Sequence, residues 1–189
     1  MDDEPGQRIE VFLESRCSSA NRKEIERVAA AVLKRQGCRQ YRLSIAVVDD
    51  AQMARLNRRH LGRAGATDVL AFDLSDGRSC GGEIDGEVVV SAETARREAR
   101  RRGGDVRAEL MLYVVHGILH LSGQDDSTPR RAAAMHRRED GLLAELGYGR
   151  PFAAGARGDR SARGRQRHSG SGRADRLGRA GQVKGPEQR

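Results

Sequence analysis

The most constraining feature of the sequence is an apolar segment, residues 106–122, within a chain in which 33% of the residues are charged. Its larger apolar residues are Leu110, Met111, Tyr113, Val114, Val115, Ile118, Leu119 and Leu121. A helix that is apolar on nearly every face is buried inside a protein, so this segment predicts the apolar core of the domain. No apolar run approaches the roughly 18 residues of a membrane span, which excludes an integral membrane protein.

The other elements are predicted from the spacing of apolar residues and from the caps around them. Strands are predicted at residues 8–14 and 43–47, which alternate, and at two short apolar runs, 67–72 and 87–90. Helices are predicted between Asn21 and Gly37, between Asp50 and Gly62, at 92–102 with Ser91 as its cap, at 106–122, and from about Pro129 to Leu146. The order β-α-β-α-β-β-α-α-α indicates an α/β (α+β) single domain with a small sheet of about four strands and about five helices.

The composition changes near Phe152, after which large apolar residues almost disappear. The 37 residues from Ala153 to Arg189 contain ten Lys or Arg, three Asp or Glu and eight Gly, and their only larger apolar residues are Leu177 and Val183. Such a segment buries too little apolar surface to offset its ordering entropy. We therefore predict a domain at residues 1–152 and a disordered Arg/Gly-rich tail at 153–189. The tail holds +7 of the net charge of +8, and it is either an electrostatic arm for RNA or a solubilising extension.

The cysteines and the N-terminus favour a cytoplasmic protein. Cys17, Cys38 and Cys80 are odd in number, widely spaced and never in a C-x-x-C pattern. This spacing argues against a disulfide scaffold and against a thiolate zinc site. The acidic residues 1–6 do not resemble a secretory signal peptide.

The residues that carry chemistry lie at the end of the apolar helix. His116 and His120 are four residues apart, so both imidazoles project from one helix face. Gly123 ends the helix and allows the chain to turn back, so that Asp126 can supply a third ligand. Two imidazoles and a carboxylate suit Zn²⁺ and leave a position open for water, as a catalytic site requires. The alternative is a pair of ordinary core histidines, which would be costly in so apolar a segment.

A zinc peptidase is the first enzymatic alternative. The pattern H-x-x-x-H-x-x-G-x-x-D matches the ligand spacing of the metzincin proteases, which carry Glu directly after the first His as the general base. Here that position is Gly117. The missing base argues against a peptidase and leaves the metal site intact.

The segment from His116 to Asp126 resembles the signature of the YbeY endoribonucleases, the bacterial rRNA maturation factors, which runs H-G-x-L-H-L-x-G-Y-D-H. Other segments resemble the family in the same order along the chain. These are Leu56-Asn57, Thr67–Phe72, Gly86–Ser91, Met135, Glu139 and Leu146–Tyr148. The resemblance covers about residues 8–152 and stops where the basic tail begins.

The resemblance implies an activity, a cofactor and partners. It implies one zinc ion per chain, held by His116, His120 and Asp126, with His116 also a catalytic residue. The implied activity is single-strand-specific RNA cleavage in 16S rRNA 3′-end maturation and ribosome quality control. The implied partners are rRNA and the small ribosomal subunit, with ribosomal proteins or GTPases as further candidates and no membrane. The alternative from another class is a non-catalytic assembly factor in which zinc stabilises the fold.

Two positions within the signature depart from the family. Gln124 replaces the usual Tyr, and Asp126 stands where the third His ligand normally is. Carboxylates bind zinc at distances similar to those of imidazole, although the added negative charge makes the ion a weaker Lewis acid. Asp125 is the rival ligand, and a supporting or capping role is its alternative.

A third departure concerns the cation that faces the RNA phosphate in many members of the family. An aromatic-Arg pair is usual there, and this chain has His60-Leu61. Arg58, Arg59 and Arg63 are the candidates to replace it, because guanidinium suits phosphate recognition. A solvated helix face explains these arginines equally well.

Overall fold

The computed structural model describes residues 6–15, 19–75 and 82–151, together with the backbone of residues 181–184. The predictions for Cys17, Cys80, the first five residues and most of 153–189 lie outside the described residues. Cys38 is a free thiol. None of the helices in the described ranges combines the length and the hydropathy of a membrane span.

The elements between residues 7 and 145 follow the predicted order, which confirms the α/β (α+β) fold class. They are β1 (Gln7–Leu13), α1 (Arg22–Arg35), β2 (Gln40–Val48), α2 (Asp50–Leu61), β3 (Val69–Asp73), β4 (Glu83–Ser91), α3 (Ala92–Arg102), α4 (Val106–Leu121) and α5 (Pro129–Glu145). β4 begins earlier than its apolar run because residues 83–86, of which only Ile84 is a large apolar residue, pair with residues 40–43 of β2. Ser91 caps α3 as predicted, and its side chain accepts a hydrogen bond from the Thr94 amide.

The sheet is mixed, and α4 packs mainly against its strands β3 and β4. β1, β2 and β4 are parallel neighbours, and β3 pairs antiparallel with β4. A fifth strand, β5 (Gly181–Lys184), pairs parallel with β3. The domain itself supplies four strands, as predicted, and residues 181–184 add a fifth at the edge of the sheet. An unpaired edge strand accepts any extended backbone whatever its side chains, so apolar spacing does not predict this pairing.

The two faces of the sheet are covered by different helices. The face that carries Val69, Val88 and Val90 packs against α4, and α1, α3 and α5 surround that helix. The other face is covered by α2, whose Met53 packs with Leu70. Every residue of α4 from Ala108 to His120 is buried. The apolar segment is thus the core of the domain, as predicted.

Candidate metal centre

The two histidines of α4 share one face and meet at their ring nitrogens. His116 and His120 are 8% and 3% exposed, and their Nε2 atoms lie 3.1 Å apart. The Oδ1 atom of Asp126 lies 4.0 Å from Nε2 of His120. One ligand atom from each of the three residues falls within 4.8 Å of the other two. The structure therefore brings together the three residues that the sequence pattern singled out.

The turn that returns Asp126 to the histidines is a Schellman motif. Gly123 adopts φ 82°, a left-handed conformation that favours glycine. Its amide donates to the His120 carbonyl at 2.9 Å, and the Gln124 amide donates to the Leu119 carbonyl at 3.0 Å. These two bonds satisfy carbonyls at the end of α4 and reverse the chain. Asp126 consequently lies beside the helix face that carries the histidines.

Each histidine is oriented through its other ring nitrogen. Nδ1 of His116 lies 2.5 Å from Oε1 of Glu139, which is fully buried on α5. Nδ1 of His120 lies 3.0 Å from the backbone carbonyl of Gln124. Partners of this kind hold a ligating imidazole in one tautomer and one orientation.

These partners determine which nitrogen of each ring carries a proton. A carbonyl and an ionised carboxylate only accept hydrogen bonds, so Nδ1 of both rings must donate. In the neutral rings, the two Nε2 lone pairs would face each other across 3.1 Å, so the contact is favourable when a proton or a metal ion lies between them. Zn–N bonds of about 2.05 Å at a tetrahedral angle place two nitrogens about 3.3 Å apart. The observed spacing therefore fits two ligands of one ion.

The local charges also favour a shared cation. Burial acts against protonation of His116, but the hydrogen bond and negative charge of Glu139 outweigh it and raise the pKa of that ring above its ordinary value. Burial, followed by the positive charge of His116, lowers the pKa of His120. The two rings thus accommodate one positive charge between them, with the carboxylate of Asp126 beside it.

The carboxylate of Asp125 binds Ser127 and Arg131 and not the two histidines. Its carboxylate accepts hydrogen bonds from the amide and hydroxyl of Ser127, at 2.7 and 2.6 Å, and forms an ion pair with Arg131. The Ser127 hydrogen bonds and Arg131 lower the pKa of Asp125 to about 2. Its exposed side chain shapes the turn that leads into α5, whereas Asp126 belongs to the histidine cluster.

Two residues at the site were not singled out by the sequence as functional. In the sequence, Glu139 is a match to the family without a role of its own, but its position three and four residues before Leu142 and Leu143 places a carboxylate on the apolar face of α5. A carboxylate on an apolar helix face is the feature of the sequence that points to a role for Glu139. Asp68 is 6% exposed, interacts electrostatically with His116, and has its pKa raised by burial. The apolar residues that follow Asp68 in the sequence do not predict that its carboxylate lies near His116.

Gly117 lies on the face of α4 that packs against the sheet, directly after the ligand candidate His116. A Cβ atom at this position would lie 2.5 Å from Cγ1 of Val88 and 3.2 Å from Cγ2 of Val69. The position therefore faces β3 and β4 and has no room for a side chain. A metzincin-type glutamate after the first histidine does not fit this fold.

The arginines considered as phosphate ligands lie near the end of α2. Arg58, Arg59 and Arg63 are exposed, and α2 covers the sheet face opposite α4. The described contacts do not join them to the histidine cluster. Their role as RNA ligands stays a prediction.

Comparison with known proteins agrees with the motif and the fold. The family model described as endoribonuclease YbeY matches residues 11–147. An endoribonuclease YbeY from Syntrophus aciditrophicus is 34% identical over 131 residues, which cover 67% of this chain and 82% of that protein. The corresponding protein from Laribacter hongkongensis is 41% identical over 113 residues, which cover 59% of this chain and 68% of the relative.

The fold is also similar to a solution structure of a Thermotoga maritima protein. The TM-score is 0.51 at 22% identity, over 74% of this chain and 91% of the other. This likeness supports the architecture, and the family match over residues 11–147 carries the assignment. The chain therefore belongs to the YbeY endoribonuclease family.

Proposed function

We propose that this protein is a zinc-dependent, single-strand-specific endoribonuclease that acts in the cytoplasm, in 16S rRNA 3′-end maturation and ribosome quality control. The observation that carries the proposal is the convergence of His116, His120 and Asp126 on one point. Membership of the endoribonuclease YbeY family supports RNA as the substrate. The rRNA of the small ribosomal subunit is the proposed partner.

The residues present fit a zinc ion. Nε2 of His116 and Nε2 of His120 would be two ligands, and a carboxylate oxygen of Asp126 would be the third. Three protein ligands leave a fourth position open. Asp126 is 22% exposed in its side chain, so the open side of the cluster is accessible to solvent and substrate. Bound zinc would supply Lewis acidity, which polarises a phosphodiester oxygen and promotes ionisation of a nearby water.

The residues of the chain keep this site in working geometry. Glu139 accepts from Nδ1 of His116 and holds that ring with its Nε2 toward the other ligands. The Gln124 carbonyl does the same for His120. Because α4 is buried along its length, neither ring can turn without disturbing the core. The cluster is therefore preorganised for a cation and for a substrate that approaches from the Asp126 side.

The two neighbouring aspartates provide a matched test. We expect the full-length protein to bind one zinc ion and to cleave single-stranded RNA in preference to duplex RNA. Asp126→Asn should lower both zinc content and cleavage, because it removes a charged ligand. Asp125→Asn should leave both unchanged, because an amide oxygen can still accept from Ser127. Equal zinc binding and cleavage in the two variants would exclude Asp126 as a ligand.

The products and the cellular role require separate measurements. Fragments that end in a 2′,3′-cyclic phosphate would identify the ribose 2′-hydroxyl as the nucleophile, whereas a 3′-hydroxyl together with a 5′-phosphate would identify water. His116→Ala should abolish cleavage and leave unprocessed 16S rRNA 3′ ends in cells that depend on this protein. If that variant folds and still supports maturation, the protein is an assembly factor and not a nuclease.

The basic segment 153–189 is proposed to add affinity for RNA without taking part in the chemistry. Its net charge is +7. Each phosphate contact on a single strand steepens the slope of the logarithm of the binding constant against the logarithm of the salt concentration by about 0.7. Deletion of residues 153–189, which also removes β5 from the edge of the sheet, should weaken RNA binding and flatten its salt dependence, while saturating RNA still yields the full cleavage rate if the shortened protein keeps its free energy of unfolding. Loss of the cleavage step itself would contradict this division.

A further inference from the structure

One glutamine outside the ligand cluster joins three elements around it. Gln36 is the residue that ends α1. Its Oε1 accepts a hydrogen bond from Nε2 of Gln124 at 3.1 Å and from Nη2 of Arg138 at 2.8 Å. The side chain of Gln36 therefore connects the end of α1, the turn after α4 and the middle of α5.

The turn residue in this connection also acts on a ligand. The backbone carbonyl of Gln124 is the acceptor for Nδ1 of His120, while its side-chain amide is held by Gln36. We propose that Gln36 is a positioning residue of the metal centre, which holds Gln124 so that its carbonyl orients His120. This inference rests on the proposed function, because orientation of His120 matters only if the ring is a ligand.

The hydrogen bonds show why the residue must be an acceptor. Both neighbours of Gln36 donate, so the amide must turn its oxygen toward them. Its Nε2 atom is then buried without a hydrogen-bond partner among the described residues. A buried unpaired donor is unfavourable, and an apolar side chain would avoid it. The acceptor is therefore the part of Gln36 that the site uses.

The same segment of α5 supports both histidines. Arg138 donates to Gln36, which holds Gln124 and through it His120. The next residue, Glu139, orients His116 directly. A displacement of α5 would therefore disturb both rings, and Gln36 couples the turn after α4 to that helix.

The test compares three single variants at the site, one double variant and one control variant of the full chain. Gln36→Leu removes the acceptor, and Gln36→Glu keeps an oxygen for both donors. Gln124→Ala keeps the backbone carbonyl and removes the amide that Gln36 holds. The control is Gln7→Leu, the same change at an exposed position on β1. Zinc affinity is measured by competition with a chromogenic chelator, and the His120 tautomer is measured by ¹⁵N NMR in the zinc-free protein.

We expect Gln36→Leu to weaken zinc binding about three- to tenfold, which is less than the 10–100-fold loss typical when the direct partner of a ligand is removed. The fraction of His120 protonated at Nδ1 should fall in the same variant. Gln124→Ala should have a similar effect, and Gln36→Glu and Gln7→Leu should stay within about twofold of wild type. The double variant Gln36→Leu/Gln124→Ala should lose no more than either single variant, because both act through one connection.

Each outcome separates this inference from the proposed function. If wild type binds zinc and Gln36→Leu matches it in affinity and in His120 tautomer, the positioning role is wrong and the metal centre stands. Additive losses in the double variant would also overturn it, since the two residues would then act independently. If wild type binds no zinc, both proposals fail.

Discussion

Two clusters of partly buried polar side chains differ in how completely their hydrogen bonds are paired. The first, here called the Asp50 clamp, joins the start of α2 to α3 and consists of Asp50, Ser91, Thr94 and Arg97. Oδ1 of Asp50 accepts from the hydroxyls of Ser91 and Thr94, at 2.5 and 2.7 Å, and Oδ2 accepts from Arg97 at 2.7 Å. Both oxygens of the carboxylate thus meet donors from the chain itself.

The second cluster is the candidate metal centre, where potential ligand atoms converge on one point. The two Nε2 atoms of His116 and His120 lie 3.1 Å apart with a carboxylate beside them. Oε2 of Glu139 is buried without a hydrogen-bond partner among the described residues. A cluster whose hydrogen bonds are complete within the chain contributes stability, whereas the ligand atoms of the second cluster are placed where they could hold a cation. The predictions below test this distinction, from the largest expected effect to the smallest.

The largest expected effect is the loss of zinc in His120→Ala. Removal of a ligand should weaken zinc binding by more than about 100-fold, the upper limit for loss of a supporting residue, and cleavage should fall with it. Zinc content and affinity of the purified protein provide the measurement. His60→Ala is the control, because His60 is exposed on α2 and lies outside the cluster. Equal zinc binding in both variants would contradict the metal centre.

The opposite pattern is expected for Asp50→Ala. The change leaves Ser91, Thr94 and Arg97 without their shared acceptor, and hydrogen bonds to a charged group contribute about 1.5–3 kcal/mol each. We expect the free energy of unfolding to fall by about 3 kcal/mol, while the zinc-binding constant of the folded protein stays unchanged. Urea unfolding of the zinc-free protein measures the first quantity. A loss of zinc affinity without a loss of stability would break the comparison.

The sequence alone predicts the metal centre better than it predicts the residues around it. His116, His120 and Asp126 follow from helical spacing and a glycine turn, because all three lie within eleven consecutive residues. Glu139 reaches His116 from another helix, and such long-range partners depend on packing that no local pattern encodes. The fold was predictable where apolar spacing determines it, as in α4. β5 was not, because its pairing with β3 uses only the backbone.

Glu139→Gln tests the residue that links packing to the metal centre. The amide removes the negative charge beside Nδ1 of His116, and loss of such a partner typically weakens metal binding about 10–100-fold. We expect about tenfold, because the amide oxygen can still accept. Glu145→Gln on the exposed side of α5 is the matched control. If Glu139→Gln lowers stability and leaves zinc affinity unchanged, Glu139 belongs with the structural clusters.

The smallest effect is a difference in acid stability between wild type and Asp50→Asn. Burial acts to raise the pKa of Asp50, but the hydrogen bonds of Ser91, Arg97 and Thr94 outweigh it and lower that pKa below its ordinary value. A carboxyl with a lowered pKa in the folded state contributes stability above its unfolded pKa of about 3.9, and this contribution is lost as the pH falls through the folded value. The free energy of unfolding of wild type should therefore be about 1–2 kcal/mol higher than that of Asp50→Asn at pH 7.

That difference should shrink below about pH 4, where the carboxyl of wild type becomes protonated. The measurement is the free energy of unfolding of both proteins, zinc-free, between neutral pH and about pH 2. The zinc-free form is required because protonation of the histidines also releases a bound ion. Parallel curves would show that the charge of Asp50 contributes nothing, and the clamp would then act through its shape alone. Converging curves would show that Asp50 is a charge already paired within the chain, as its hydrogen bonds to Ser91, Thr94 and Arg97 indicate.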